Sequence, residues 1–267
     1  MLLEQTLQQI SNQQTSFPYE IVIVDNDSTD HSLQVAQKFN CKIVHLPKGE
    51  FTYGKAINVG IANSEGEYIM IISSHVLLLQ NDFLEKIPFY FLDEKIAGLR
   101  FINTSSPQQL VESVKKGVQE IAVIDDENFA NKYWNSLIVN HCSAIRKSCW
   151  EMETFNEFLN AGEDKLWALN ILKQGYHLLY NIPVYYAYVA EISMNRKISK
   201  RVREEYSKKM IIGNSVSEYE QSFMFYLMYK MRRNLRTFFK GLLTDIKIYF
   251  GYKREKKRFK NLAIVSN

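Results

Sequence analysis

Three clusters in this chain combine residue types and spacing that chemistry can use. The first is Asp25-Asn26-Asp27 with Ser28 and Asp30, directly after the apolar run Ile21–Val24. Carboxylates at the end of a buried strand stand where open α/β sheets take ligands. The same residues also suit a plain strand-to-helix turn, with Ser28 and Asp30 as helix caps. The second cluster is Ser73-Ser74-His75, again after an apolar run, Tyr68–Ile72. His75 reads either as a structural histidine or as a ligand, for instance to a metal. The third is Gly162-Glu163-Asp164, followed by Lys165, Trp167 and a stop at Gly175. Asp164 has the chemistry of a general base, provided that it reaches an attacking hydroxyl. The alternative is that Glu163 and Asp164 simply place favourable charge at a helix N-terminus.

The elements around these clusters follow from periodicity. Residues 1–12 have Leu3, Leu7 and Ile10 at helical spacing, and Pro18 precedes the first strand. Ile21–Val24, Tyr68–Ile72 and Ile96–Ile102 read as buried strands, Cys41–Leu46 and Ser143–Ile145 as shorter ones. Helical patterns fall at 33–39, Tyr53–Ala62, Asp82–Asp93 and Glu163–Lys173, the last stopped by Gly175. Tyr176–Tyr180 and Val184–Val189 read as two final strands hinged at Pro183, and 103–135 as an irregular loop or insertion. Strands alternating with helices predict an α/β fold with a mainly parallel sheet.

Charge divides the chain. From Asn195 onward there are 19 Lys and Arg against 6 Asp and Glu; the remainder carries 14 against 23. An acidic body is expected at 1–192 and a basic, helical C-terminal region at 193–267. Within that region Met224, Met228, Met231, Leu235, Phe238, Leu242, Ile246 and Tyr249 form one stripe, opposite Arg233, Arg236, Lys240 and Lys247. Such a helix packs on the body or docks reversibly on an anionic membrane surface. No nucleic-acid module accompanies the basic run 253–260, which argues against nucleic acid as partner. Residues 1–20 lack the pattern of a signal peptide, and no apolar run approaches the roughly 20 residues of a membrane span. Cys41, Cys142 and Cys149 are expected to be free thiols. The expected location is the cytoplasm, peripheral at the inner face of the cell membrane.

Taken in order, the clusters resemble family 2 glycosyltransferases of GT-A fold. EIVIVDNDSTD looks like the family's VDDGSTD-type nucleotide-binding strand. GKAINVGIANSEGEYIMIISSH is similar to its RNxGxxxAxGEYIxFLDxD segment, with Asn58, Gly60, Ala62, Gly66, Glu67 and Tyr68 in register. The segment from Asn140 to Tyr180 resembles the acceptor side, where an ED pair precedes a helix and GYxxxY. Tyr53-Gly54-Lys55 before Asn58, and SSH after the strand, are most similar to the rhamnosyltransferase-type branch. The resemblance covers roughly residues 1–190. It implies inverting transfer of a sugar from a nucleotide diphosphate to a hydroxyl of a saccharide acceptor, lipid-linked in a surface-polysaccharide setting. Asp164 takes the place of the base, beside Glu163. Asp25, Asp27, Lys55, Asn58, Ser74 and His75 fall on the donor side, Arg146 and Trp167 on the acceptor side.

Two departures stand out. The family's DxD carboxylates fall on Ser73-Ser74-His75. His75 alone there is a good metal ligand, so a Mg²⁺ or Mn²⁺ cofactor is doubtful. Lys55, Arg146 or Lys165 would then meet the phosphate charge. The family's usual first strand is also missing, which leaves Ile21–Val24 without a neighbour on one side. Two other classes remain open: a non-catalytic relative serving as partner in a polysaccharide-assembly complex, and a nucleotidyltransferase. The latter lacks its expected Gly-rich phosphate loop here.

Overall fold

The computed structural model describes residues 2–104, 111–112, 120–129, 131–189, 194–212, 244 and 246–257. The chain divides into two compact units, Met1–Leu159 with Glu163–Ala190, and Asn160–Gly162 with Glu191–Asn267.

The first unit is α/β. It opens with helix α1 (Leu2–Ser11), whose Leu7 and Ile10 are buried. Full burial of such side chains contributes about 2 kcal/mol each. Strand β1 (Val22–Asp25), helix α2 (Ser32–Lys38) and strand β2 (Lys42–His45) follow, then α3 (Tyr53–Ala62) and β3 (Tyr68–Ile72). Thr52 caps α3 by accepting from the Lys55 N–H at 3.1 Å. Next come β4 (Val76–Leu78), β5 (Ile96–Asn103), β6 (Ala122–Ile124), β7 (Cys142–Arg146), helix α4 (Lys147–Met152), helix α5 (Glu163–Lys173) and β8 (His177–Tyr188).

These strands make two sheets. β1 and β2 pair in parallel, and the other six form a mixed sheet in the order β3-β7-β5-β8-β4, with β6 also on β8. The sheet is therefore not mainly parallel: β5–β8 is parallel, whereas β3–β7, β5–β7, β4–β8 and β6–β8 are antiparallel. The strand at 142–146 enters between β3 and β5 and runs against both. It is the strand buried along its whole length. β1 and β3, expected to be buried throughout, are mostly half-buried. Each has an edge with no strand partner among the described residues, so neither is sandwiched between neighbours.

Two other local expectations change. Asp82–Asp93 is not an α-helix: turns lead into a 3₁₀ segment, Pro88–Phe91, because Pro88 cannot donate to an α-helical ladder. The two strands expected around Pro183 are one strand, β8. Asn181 adopts a positive φ of 63°, and the register against β5 slips between Leu99/Phe101 and Phe101/Ile102, which bends the strand instead of ending it. Cys41, Cys142 and Cys149 are free thiols.

The second unit contains α6 (Met194–Ile212) and α7 (residues 246–257). Ile198, Val202 and Tyr206 pack on Ile248, Tyr249 and Tyr252. A Cβ on Gly251 would lie 3.1 Å from Val202 Cγ2, so the glycine permits a close approach of the helices. Tyr249 of the expected stripe is buried there; Met224 to Leu242 lie outside the described residues. No described helix is long and apolar enough to cross a membrane.

Candidate active site

Strand direction defines one edge of the first unit. β7 runs against β3 and β5, and β8 runs with β5, so the carboxyl ends of β3, β5 and β8 share an edge with the start of β7. The Ser73 N–H donates to the His141 carbonyl (2.9 Å), and the Val189 N–H to the His75 carbonyl (2.9 Å). At the opposite edge, the Glu20 carboxylate accepts from the N–H groups of Glu65 and Gly66. These bonds tie the segment before β1 to the turn before β3.

The carboxylate pair of α5 meets this edge through Asn140. Asp164 Oδ2 accepts from the Asn140 N–H (3.1 Å) and Oδ1 from the Lys165 N–H (2.8 Å). Glu163 Oε1 accepts from Asn140 Nδ2 (2.6 Å), while Oε2 is buried with no hydrogen-bond partner. Burial, then the charge of Asp164, pushes the Glu163 carboxyl up to about 7. The pair therefore resists taking a second negative charge near neutrality.

The end of β3 carries donors rather than carboxylates. Ser73 Oγ and Ser74 Oγ lie 3.4 and 3.2 Å from His75 Nδ1. The His75 ring leans on Tyr188, with centroids 6.4 Å apart, and His141 lies 4.9 Å from Tyr188 on the same basis. His141 Nε2 is 3.0 Å from Tyr186 Oη, to which Arg100 donates at 3.1 Å. Asn140, His141, Tyr186 and Tyr188 were not singled out in the sequence. The segment Asn140-His141 immediately before a buried run was the available signal.

Other expected site residues are engaged elsewhere. Asp25 is buried, and its Oδ2 accepts from the Ser28 N–H (3.3 Å). Asp27, with a positive φ of 55°, accepts from the Lys48 N–H (2.8 Å) and lies 3.6 Å from His45 Nε2. Asn58 is saturated: Nδ2 donates to Phe155 O (2.8 Å) and Glu157 Oε1 (2.9 Å), and Oδ1 accepts from Trp150 Nε1 (2.9 Å) and the Phe155 N–H (3.0 Å). An amide has no further hydrogen bond to offer a nucleotide. Lys55 is ion-paired with Glu50, a hydrogen bond that raises its ammonium above the usual value. Lys165 Nζ donates to the carbonyls of Leu137 and Ile138.

Arg146 and Trp167 are held inside the fold. Arg146 pairs in register with Tyr68, at the start of β3 and thus at the edge remote from His75. It is buried, donates to the carbonyls of Ile96, Phe91 and Asp93, and sits over the Tyr68 and Phe91 rings. Trp167 is buried, stacks on Phe155 and donates to Glu153 O (2.6 Å).

A family model, glycosyl transferase family 2, matches residues 2–151. The chain belongs to glycosyl transferase family 2. Among its relatives, it is 22% identical over 209 residues to the O-antigen chain rhamnosyltransferase RfbN of Salmonella typhimurium, covering 75% of this chain and 64% of that protein. It is 24% identical over 208 residues to a dolichyl N-acetyl-alpha-D-glucosaminyl phosphate 3-beta-D-2,3-diacetamido-2,3-dideoxy-beta-D-glucuronosyltransferase of Methanococcus voltae, covering 73% and 64%. The chain thus spans slightly less than two thirds of these relatives. Its fold is similar to that of the mannosyltransferase PcManGT from Pyrobaculum calidifontis, solved with GDP-Man and Mn²⁺ (TM-score 0.57, 18% identity, 78% of this chain and 60% of that one). It is also similar to Staphylococcus aureus TarS 1–349 (TM-score 0.56, 17% identity, 97% and 88%). The likeness establishes the GT-A fold of this family 2 member. Its family match takes in Asp25, Asn58 and Ser73–His75 but ends before Glu163 and Asp164.

A divalent ion fits the β3 end poorly. Mg²⁺ and Mn²⁺ favour oxygen ligands, chiefly carboxylates. Here the side chains are two neutral hydroxyls and an imidazole whose Nδ1 those hydroxyls already face. Among the described residues, no three His, Cys, Asp or Glu side chains are grouped to hold a metal.

Proposed function

We propose that this chain is an inverting glycosyltransferase that moves a sugar from a nucleotide-diphosphate donor to a hydroxyl of a saccharide acceptor, in the assembly of a surface polysaccharide. The relatives named as O-antigen and dolichyl-linked sugar transferases support that acceptor class, including a lipid-linked form. The observation that carries the mechanism is Asp164, whose two oxygens are each held by a backbone N–H, one of them from Asn140, whose neighbour His141 accepts from Ser73 at the end of β3. A carboxylate fixed in this way is oriented before substrate arrives. It takes the proton of the acceptor hydroxyl as the hydroxyl oxygen bonds to the anomeric carbon. On the far side the bond from that carbon to the diphosphate oxygen breaks, and the nucleoside diphosphate leaves. One displacement inverts the anomeric centre. Asn140 orients both carboxylates. Glu163, reluctant to ionise beside Asp164, keeps repulsion in the pair low.

The test is release of nucleoside diphosphate from a panel of nucleotide sugars. Asp164→Asn keeps the shape and removes the base, so turnover falls about 100-fold or more with an unchanged melting midpoint. Turnover equal to that of the wild type would sink the role of Asp164. The absence of carboxylates at Ser73–His75 favours a second reading, a non-catalytic partner in an assembly complex. A wild-type chain that binds nucleotide sugars and turns none over would support it.

A further inference from the structure

The chemistry at the end of β3 is the reverse of a cation site. If both hydroxyls of Ser73 and Ser74 point at His75 Nδ1, that nitrogen is the acceptor and the ring proton sits on Nε2. Nε2–H is then the donor of the ring. The Tyr188 ring beside His75 restrains the imidazole, and the backbone bond from Val189 to the His75 carbonyl fixes the turn beneath it. Next along the edge, burial pushes the Tyr186 phenol up to about 12, so it keeps its proton. With Arg100 donating to the phenol oxygen, that proton goes to His141 Nε2 and His141 carries its own on Nδ1. The edge thus presents an imidazole N–H at His75, and Asn140, the neighbour of His141 in the chain, holds Asp164. Anionic oxygens suit such donors; a divalent cation does not.

Resting on the transferase reading above, we infer that His75 binds the diphosphate of the donor directly through Nε2–H, and that nucleotide binding and transfer need no divalent metal ion. Ser73 and Ser74 are positioning residues that set the tautomer. In the departure step, the hydrogen bond from His75 strengthens as charge gathers on the leaving diphosphate oxygens.

Calorimetric titration of the purified chain with UDP, GDP and dTDP, in EDTA and again with Mg²⁺ or Mn²⁺, tests this. At least one nucleotide is expected to bind in EDTA, with a Kd that the metals change by less than about twofold. His75→Ala should weaken that binding by about tenfold or more, since a hydrogen bond to a charged group is lost. His75→Gln, whose amide N–H can stand near the position of Nε2, should recover most of it. Melting curves separate a folding defect in either variant from a binding defect. Binding that appears only with metal, or a folded His75→Ala variant with wild-type affinity in EDTA, overturns the inference and leaves the transferase reading standing. Binding of no nucleotide or nucleotide sugar under any condition overturns both.

Discussion

At the scale of single residues, Glu163 has the most direct consequence for pH. Its carboxyl is buried, hydrogen-bonded through one oxygen to Asn140, and raised from 4.5 to about 7. Between those values the folded chain holds a proton that the unfolded chain has released. Stability from this group therefore falls as pH rises through that window, by as much as about 3 kcal/mol, with the full cost in place above about 7. Replacing Glu163 with Gln removes the titration. Urea unfolding of both proteins at fixed pH values from 5 to 8 should show the advantage of wild type over the variant shrinking as pH rises to about 7 and levelling off above it. An advantage constant across that range would refute the assignment. Residue types alone made the two carboxylates and His75 legible, because Asp, Glu and His carry their chemistry in their identity. Asn140, which ties both carboxylates to the sheet, was not legible. Its partners lie 23 and 24 positions away, and its place just before a buried run does not point to them. The partners of Arg146 and Trp167 were equally hidden: their polar groups satisfy backbone carbonyls inside the core.

At the scale of elements, α3 shows how a family signature can be structural. Gly54 brings the helix so close to the following segment that a Cβ would lie 2.1 Å from the Asn156 carbonyl oxygen. One turn on, Asn58 makes its four bonds to Trp150, Phe155 and Glu157. The pair clamps α3 onto the chain between α4 and α5. Asn58→Ala leaves a buried amide N–H and carbonyl of Phe155 without partners and should cost about 3 kcal/mol of stability. The folded fraction should bind nucleoside diphosphate with wild-type affinity. Full stability with weakened nucleotide binding would return Asn58 to the donor pocket. Helix and strand limits at Tyr53–Ala62, Tyr68–Ile72 and Glu163–Lys173 could be read from periodicity and caps. Strand direction could not, because an apolar run such as Cys142–Arg146 looks the same whichever way its neighbours point. The short strands Val76–Leu78 and Ala122–Ile124 offer too few residues to show a period.

At the scale of the whole chain, charge is segregated by sequence. The net charge of +4 combines an acidic body with the basic stretch from Asn195. In the second unit, the apolar side chains of α6 and α7 meet each other: Ile248, Tyr249 and Tyr252 are buried on Ile198, Val202 and Tyr206. The apolar contact expected to hold the tail on lipid is, in these helices, closed by protein. What remains outward is chiefly charge, with Arg201, Arg254 and Lys257 exposed beside the apolar Met210 and Phe250. Association with an anionic membrane through these helices would therefore be mainly electrostatic. Each basic residue near such a surface contributes about 1 kcal/mol, screened over roughly 10 Å at 0.1 M salt. The chain should float with vesicles containing phosphatidylglycerol at low salt, and molar salt should release it. It should ignore vesicles of phosphatidylcholine alone. Converting Arg201, Arg254 and Lys257 to Glu should abolish flotation without changing the turnover of a soluble acceptor. Flotation that survives both molar salt and the triple substitution would show that apolar insertion, rather than surface charge, holds the protein on the bilayer.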